Sequence, residues 1–538
     1  MTANRPRFAG RYIRIGLAAC SLAATMALGC ASRPAPPPTA GPPPAARRPN
    51  VVVVFDDQLR ADACGVYGGR NIATPNIDRL AREGVTFDNA LSTCPLCTPF
   101  RGMLQTGRYP THTGILLNWI EVNPRERSIA HVFREAGYRT GFIGKWHLAA
   151  GRRKRAGAHA MTPQDKERIA KAEAAYVREN PEPEYVPPGP ARLGYDHWQA
   201  YNFHSDFQKA YYYEDTPKRL VMPRYETDSE IDMAIAFMRG QQAGGTPFLL
   251  MVAPHPPHPP HTPAACPAGY LERVRPDLVW APNVPEDHRH RRDPTAVRCY
   301  YAMAANFDDN LGRLLDFLDS SGLARDTIVV FTSDHGDMLG SHRMCLKQEP
   351  FEESINIPFI VRYPKRIGKG IVTDGLLSPI DIMPTLLDLA GAPIPTPTGS
   401  EGLGGVEGIS LAQAAEGKRS DQQDAVLLMK MVPGGMPWMC NAATPWRGVR
   451  TKTHTYARLA DGGPWVLYDN VNDPYQMKNL VNDPAHKRLR DEMESKMQAL
   501  LKKAHDPFDA DKIKAEIAEK SKTRLKYSAR KPKARGTE

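Results

Sequence analysis

The stretch N-V-V-V-V-F-D-D at residues 50–57 carries the strongest fold signal in this chain. Its unbroken apolar run is typical of a strand that is buried on both faces rather than on one. Three further runs share this character and are found at 141–144, 247–253 and 326–332. We therefore predict several fully buried strands in one sheet.

Helical patterns separate these runs, at 76–83, 128–135, 229–238, 296–318 and 381–389. This alternation predicts an α/β fold, with a large mostly parallel sheet flanked by helices. Four short runs that resemble antiparallel strands follow at 426–429, 447–450, 455–458 and 465–468, and a helix is predicted at 486–505. A smaller C-terminal antiparallel-sheet subdomain is therefore expected.

The expected organisation begins with a signal peptide at 1–30, where four arginines precede an apolar run too short to span a bilayer. Ala27-Leu28-Gly29-Cys30 resembles a lipoprotein cleavage site, and the alternative is ordinary cleavage near Ala31. We predict export to the periplasm, free or as a lipoprotein with a lipid anchor at Cys30. The segments expected after it are a Pro-rich linker at 31–49, an α/β domain at 50–395, the C-terminal subdomain at 396–505 and a basic, flexible tail at 506–538.

The net charge of +11 does not indicate a nucleic-acid partner. Part of the excess lies in the signal region, in residues 152–155 and in the tail, where charged runs are usually solvated. The chain has no zinc-finger spacing, RNP motif or recognition-helix pattern. Six of the nine cysteines are left when Cys20, Cys30 and Cys97 are set aside, and their irregular spacing predicts no disulfide framework, which leaves one or two bridges open for an exported protein.

Polar residues follow four of the predicted strands. In an open parallel sheet, ligands bind beyond the carboxyl ends of the strands, so these residues should meet at one edge. They are Asp56, Asp57, Lys145, His147, His255, His258, Asp334 and His335. Carboxylates with an imidazole partner suit a hard divalent cation such as calcium, which would offset the charge of an anionic substrate.

The segment C-T-P-F-R-G-M-L-Q-T-G at 97–107 predicts a short helix. Thr98 would cap it, Pro99 would be its first residue and Gly107 would end it. Cys97 would then lie where backbone N–H groups favour an anion. A C-x-x-C redox pair formed with Cys94 is the alternative, but it leaves Arg101 and the polar strand ends without a use.

At these residues the chain resembles the sulfatase family of the alkaline-phosphatase-like superfamily. The family signature C-x-P-x-R with L-x-T-G is matched by Cys97, Pro99, Arg101, Leu104, Thr106 and Gly107. Further similar segments are T-P-N-I-D-R-L-A at 74–81, G-K-W-H at 144–147, P-P-H at 256–258, S-D-H-G-D at 333–337 and L-Y-D-N-V-N-D-P at 467–474. The likeness runs from about residue 50 to 480.

The resemblance implies a sulfuric ester hydrolase in which a separate maturation enzyme oxidises Cys97 to formylglycine (3-oxoalanine). The hydrate of that aldehyde would attack the sulfur and release the alcohol. One calcium ion would be bound by Asp56, Asp57, Cys97, Asp334 and His335. The substrate would be a carbohydrate or a small-molecule sulfate ester.

The resemblance also implies roles for the remaining site residues. Arg101 would hold the formylglycine hydroxyls, and Lys145 and Lys347 would neutralise sulfate oxygens. His147 would help to eliminate sulfate, and His258 would protonate the leaving alcohol. Lys347 lies in S-H-R-M-C-L-K-Q-E-P-F-E-E-S, which looks like the active-site loop of the family.

Some features leave alternatives open. Phe100 stands where the family more often has a small residue, next to the modification site. Phosphonate monoester and phosphodiester hydrolases of the same superfamily share the motifs, and an unmodified Cys97 would leave a non-catalytic lipoprotein that binds sulfated glycans. Substrate choice is expected to depend on an insertion at 149–194, the tyrosines at 211–213 and the C-terminal subdomain.

Overall fold

The computed structural model describes residues 48–150, 182–289, 293–396, 405–431, 444–460 and 463–508. These residues belong to one compact unit that begins at Arg48. The predicted signal peptide with Cys30, nearly all of the linker, most of the 149–194 insertion and the tail beyond 508 lie outside them. None of the helices in the described ranges has the length and apolar character that a membrane crossing requires.

The strands of the described ranges are numbered in chain order. They are β1 Asn50–Asp56, β2 Val85–Ala90, β3 Arg139–Lys145, β4 His197–Tyr201, β5 Tyr211–Tyr212, β6 Leu220–Val221, β7 Phe248–Ala253, β8 Thr327–Ser333, β9 Phe359–Arg362, β10 Ile371–Leu377, β11 Val426–Lys430, β12 Trp446–Arg450, β13 His454–Leu459 and β14 Gly463–Asp469.

The α-helices of the same ranges are numbered likewise. They are α1 Pro75–Glu83, α2 Cys97–Thr106, α3 Pro110–Thr113, α4 Ile129–Glu135, α5 Glu226–Gln241, α6 Glu286–Arg289, α7 Pro294–Ser320, α8 Glu352–Ile355, α9 Pro379–Ala390, α10 Ala412–Ala415 and α11 Lys487–Lys503.

Eight strands form the main sheet in the order β10-β2-β9-β8-β1-β7-β3-β4. β1 lies at the centre of its parallel part, where Val51 pairs with Ile328 of β8 and with Leu249 of β7. β9 is antiparallel to both of its neighbours, β2 and β8. The other pairings of this sheet are parallel, which confirms the predicted α/β architecture.

The valines of β1 show why this run is apolar throughout. Val51 and Val53 belong to a core cluster shared with α4 and α9, whereas Val52 and Val54 belong to a second cluster shared with α1, α5 and α7. Successive side chains of a strand point to opposite faces. Both faces of β1 are therefore covered by helices, and all four valines are 0% exposed.

The prediction missed β2, β4, β9 and β10, which complete the sheet on both sides of the predicted strands. β2 has the sequence V-T-F-D-N-A and β10 has I-V-T-D-G-L-L, so charged residues interrupt their apolar pattern. These aspartates face solvent, because both strands lie near an edge of the sheet. A search for continuous apolar runs therefore finds the central strands and misses the outer ones.

The C-terminal part forms a four-stranded antiparallel sheet in the order β11-β12-β13-β14, as predicted. Helix α11 packs on this sheet through Met493, Met497 and Leu501. The same cluster includes Leu96 and Met103, which flank and form part of α2. The small sheet thus supports the helix that begins at Cys97, while the domain boundary near 395 stays a prediction.

Candidate active site

The carboxyl ends of β8, β1, β7 and β3 lie side by side, because these strands are neighbours in the sheet. Asp334, the Asp56-Asp57 pair, His255 and Lys145 stand at or directly after those ends. The predicted convergence of polar residues at one edge is therefore present. The four strands come from distant parts of the chain, and the crossover helices bring them together.

Helix α2 places Cys97 at its first turn, but its start differs from the prediction. The N-cap is Leu96 rather than Thr98, and Pro99 lies inside the first turn. The Thr98 hydroxyl donates instead to the carbonyl of His147 at 2.9 Å, and its N–H is capped from outside by Asn118 Oδ1 at 3.0 Å. Gly107 ends the helix with a φ of 66°, as predicted.

Four buried side chains form a group that is suited to a metal ion. Ligand atoms of Asp57, Cys97, Asp334 and His335 all lie within 4.8 Å of one another. Cys97 Sγ is 3.3 Å from His335 Nε2 and 3.6 Å from Asp57 Oδ1. This is the mixed carboxylate and imidazole set that the strand ends predict.

Asp56 completes the acidic pair but lies outside that distance group. Its Oδ1 accepts the N–H of Asp57 at 3.2 Å, whereas its buried Oδ2 has no hydrogen-bond partner in the structure. Leaving a buried carboxylate oxygen unpaired is costly, and a bound cation would remove that cost. The residues present therefore fit a hard divalent cation.

The charges of the group depend on burial and on each other. Burial, followed by the charge of Asp57, raises the pKa of Asp56 well above its usual range, and the same two causes raise the pKa of Asp334. Burial lowers the pKa of His335 to about 4, so its imidazole is neutral near pH 7. A neutral imidazole is the form that can coordinate a metal.

Three cations surround the carboxylates. Arg101 Nη2 donates to Asp57 Oδ2 at 2.9 Å and to Asp334 Oδ2 at 3.3 Å, and Lys145 Nζ donates to Asp57 Oδ2 at 2.6 Å. Lys347 Nζ lies 3.2 Å from Cys97 Sγ. Burial alone would raise the pKa of Asp57, but nearby positive charge, chiefly that of Lys145, holds it well below its usual range.

The predicted histidines lie on the β3 and β7 side of the group. His147 and His255 are buried, and neither ring nitrogen of either residue has a hydrogen-bond partner in the structure. His258 is less buried and donates from Nδ1 to the Pro259 carbonyl at 2.8 Å. Burial, followed by the charge of Lys145, lowers the pKa of both His147 and His258 well below the usual range.

Gln58 is a site residue that the sequence reasoning missed. Its backbone N–H donates to Asp334 Oδ1 at 3.0 Å, and its side-chain oxygen accepts from Lys347 Nζ at 2.6 Å. Gln58 thereby orients a metal-group carboxylate and a lysine together. The sequence offered one indication of this role, which is that Gln58 directly follows the Asp56-Asp57 pair. A glutamine beside two aspartates does not form a recognisable motif, so that indication was weak.

Cys94 and Cys97 lie in different environments, and the environment of Cys94 argues against the C-x-x-C redox alternative. Both thiols are free. Cys94 packs in the cluster below the small sheet, and burial raises its pKa to about 12. A redox pair needs a thiol with a depressed pKa, and Cys94 has the opposite.

Comparison with known proteins agrees with this geometry. A model of the family described as Sulfatase matches residues 49–392, and a model described as N-sulphoglucosamine sulphohydrolase, C-terminal, matches residues 340–503. The Ulvan-active sulfatase of Formosa agariphila is 35% identical to this chain, over 85% of this chain and 82% of that protein.

Similarity to Bacteroides thetaiotaomicron is found both in sequence and in structure. Its endo-4-O-sulfatase is 30% identical, over 86% of this chain and 94% of that protein. A solved structure from a study of glycosaminoglycan metabolism has a TM-score of 0.72 at 28% identity, over 87% of this chain and 99% of that chain. The chain belongs to the sulfatase family and is a sulfuric ester hydrolase.

Proposed function

We propose that this enzyme hydrolyses sulfate esters with a formylglycine formed from Cys97 and with one bound calcium ion. The observation that carries the proposal is the position of Cys97. It lies at the first turn of α2, within 3.6 Å of Asp57 and His335 and 3.2 Å from Lys347. At this position a modified Cys97 would face two proposed metal ligands, Asp57 and His335, and the positive charge of Lys347.

Asp56, Asp57, Asp334, His335 and the modified Cys97 would hold the calcium ion. The ion would supply positive charge beside the sulfate oxygens, and the formylglycine hydrate would supply the nucleophile. The acidic residues are buried and their charges repel one another, so a cation is the natural counterpart of this group.

Arg101, Lys145 and Lys347 supply further positive charge at the site. Arg101 contacts two carboxylates and would orient the hydroxyl groups at position 97. Lys145 contacts Asp57 at 2.6 Å and Lys347 contacts Cys97 at 3.2 Å. Charged donors in a buried site stabilise anionic oxygens strongly, so both lysines would bind the sulfate.

His147 and His258 would handle the protons. The bond from His258 Nδ1 to Pro259 orients that ring and leaves Nε2 to carry the proton for the leaving oxygen. Since the pKa of His258 is lowered in the free enzyme, the negative charge of the bound sulfate would raise it and protonate the ring. His147 contributes its carbonyl to Thr98 and so lies against the first turn of α2. It would take the proton that is released when sulfate is expelled from position 97.

We propose a sulfated carbohydrate as the substrate. Two relatives support this, since one is named an Ulvan-active sulfatase and another an endo-4-O-sulfatase.

The test combines mass spectrometry with a product assay. The tryptic peptide that contains residue 97 is weighed in protein from the native host, and sulfate and phosphate release are measured on matched sulfate, phosphonate and phosphodiester substrates. We expect an aldehyde at residue 97 and preferential sulfate release. An unmodified thiol in an active enzyme would overturn the formylglycine, and preferential phosphorus chemistry would overturn the sulfate assignment.

A further inference from the structure

Trp119 and Phe203 are large aromatic side chains that lie beside the site and are not part of the hydrophobic core. Both are partly exposed. Neither belongs to, or packs against, the hydrophobic clusters that the described residues form. Burial does not account for these two side chains, although aromatic residues usually contribute most to a core.

The two rings form a corner, which we call the aromatic corner. Their centroids are 4.9 Å apart and their planes meet at 73°. Trp119 has a φ of 73°, a conformation that bulky residues rarely adopt and that the surroundings must hold. The preceding residue, Asn118, accepts the N–H of Thr98, so this loop is tied to the first turn of α2.

The aromatic corner borders the residues that would do the chemistry. The centroid of His147 lies 4.8 Å from both the Trp119 ring and the Phe203 ring. The His258 ring lies 5.9 Å from Phe203, and Lys145 Nζ lies 4.8 Å from the centroid of Phe203. The same lysine contacts Asp57, which is 3.6 Å from Cys97 Sγ.

The proposed role of His258 determines what must lie against the corner. If His258 protonates the leaving oxygen, that oxygen is next to its ring. The carbon skeleton bonded to that oxygen would then lie near Phe203, because Phe203 is the partly exposed ring beside His258, whereas the nearer ring of His255 is buried. Sulfate itself would lie on the other side, between Lys145, Lys347 and residue 97.

We propose that Trp119 and Phe203 are specificity-determining residues that bind the pyranose ring of the leaving alcohol. This inference rests on the proposed function. A pyranose presents a C–H face that packs on an aromatic ring and an edge of hydroxyl groups that prefers water. A partly exposed corner offers both environments, because one ring supports the face of the sugar and the other closes one side.

Phe203 also lies under Lys145, so it could serve only to hold that lysine. The two roles differ in their kinetic effects. If Lys145 is no longer held in place, the binding of every sulfate species, including inorganic sulfate, becomes weaker and kcat falls. Loss of a sugar platform raises KM for the sugar ester and leaves the affinity for inorganic sulfate unchanged.

The experiment measures kinetics on glucose and galactose sulfated at each position, together with inhibition by inorganic sulfate. For Trp119→Ala we expect KM for the best of these esters to rise about tenfold, with kcat within about threefold. Trp119→Phe should restore KM to within about threefold, and Phe203→Leu should behave as Trp119→Ala does. Trp280→Ala removes another partly exposed tryptophan, one that packs against the core cluster of Val52 and Val54, and is the control that should leave KM unchanged.

The outcomes separate the two proposals. An active enzyme whose KM is unchanged in Trp119→Ala and Phe203→Leu overturns the aromatic corner alone. Parallel losses in KM and in inhibition by inorganic sulfate also overturn it, in favour of a structural role. If the wild-type enzyme with an aldehyde at residue 97 releases sulfate only from esters without a sugar, the corner is overturned and the mechanism stands. A thiol at residue 97 with no sulfate release removes the proposed function itself.

Discussion

The polar side chains beyond the carboxyl ends of the strands form two halves, which differ in how fully their polar atoms are hydrogen-bonded. After β1 and β8, the carboxylate half contains Asp56, Asp57 and Asp334, and four of their six oxygens accept from Arg101, Lys145 or backbone N–H groups. After β3 and β7, the imidazole half contains His147, His255 and His258. Both ring nitrogens of the first two of these histidines have no partner in the structure.

This difference predicts that the carboxylates contribute to folding stability, whereas the imidazoles remain available to the substrate. A buried ion pair ties the stability of the protein to each of its members, since loss of one leaves a charge unpaired. A buried imidazole without a partner already bears its desolvation cost in the free enzyme. Changes to the ion-paired members of the carboxylate half, Asp57 and Asp334, should therefore alter stability and turnover together. Changes in the imidazole half should alter turnover alone.

Cys97→Ala should give the largest loss of activity, because it removes the proposed nucleophile, which lies against the carboxylate half. We expect kcat to fall by about 10⁴-fold or more. The carboxylates remain, so folding by circular dichroism and calcium binding by calorimetry should largely persist. Residual sulfate release close to that of the wild type would disprove the role of Cys97.

Asp57→Asn and Asp56→Asn provide a matched pair within the carboxylate half. Asp57→Asn leaves Lys145 and Arg101 without their shared partner, and we expect a loss of about 3 to 5 kcal/mol in unfolding free energy. Asp56→Asn removes a carboxylate with an unpaired oxygen and a raised pKa, and we expect a change within about 1 kcal/mol. Urea unfolding in chelator measures both values.

In the same pair, calcium affinity and turnover should fall in both variants, because both residues are proposed ligands. Equal stabilities of the two variants without calcium would show that Asp57 and Asp56 do not differ as the contacts indicate. An undiminished calcium affinity in either variant would remove that residue from the proposed ligand set.

His147→Asn tests the imidazole half. Asparagine tolerates the φ of 53° at this position, so the backbone is preserved. We expect kcat to fall by about 10² to 10³-fold with an unfolding free energy within about 1 kcal/mol of the wild type. His197→Asn, at the start of β4 and away from the strand ends, is the control and should keep full activity. A destabilised but active His147→Asn would reverse the assignment.

Cys94→Ala should have the smallest effect. Its thiol lies in the cluster below the small sheet and has a raised pKa, so it takes no part in the site. We expect sulfate release within about twofold of the wild type, with or without a reductant. A large loss in the variant, together with a wild-type activity that depends on the redox potential of the buffer, would revive the redox pair of Cys94 and Cys97.

The pattern of apolar residues predicted the centre of the fold well. The runs that became β1, β3, β7 and β8 were found within a few residues of their observed ends. The outer strands were missed because their solvent-facing aspartates interrupt the apolar run. β9 was also missed; it is the strand of the main sheet that runs antiparallel to its neighbours, and its composition does not indicate that direction.

The site residues were predicted from strand ends and from a resemblance, and the structure places them together, but it changes several details. Thr98 does not cap α2, because the helix begins one residue earlier, at Cys97, and the Thr98 hydroxyl donates to the carbonyl of His147. Gln58 joins the group by contacts to Asp334 and Lys347, which are distant in sequence. Neither contact has a local pattern that could have revealed it.

What the sequence determined by itself is the sheet, the helix at Cys97 and the residue types at the strand ends. These follow from local periodicity and spacing, which report burial and secondary structure directly. Only the tertiary structure decided which carboxylate is paired with Lys145, which imidazoles lack partners and that Trp119 meets Phe203 at a corner. Such contacts join loops far apart in the chain, and their geometry exists only after the sheet has brought those loops to one edge.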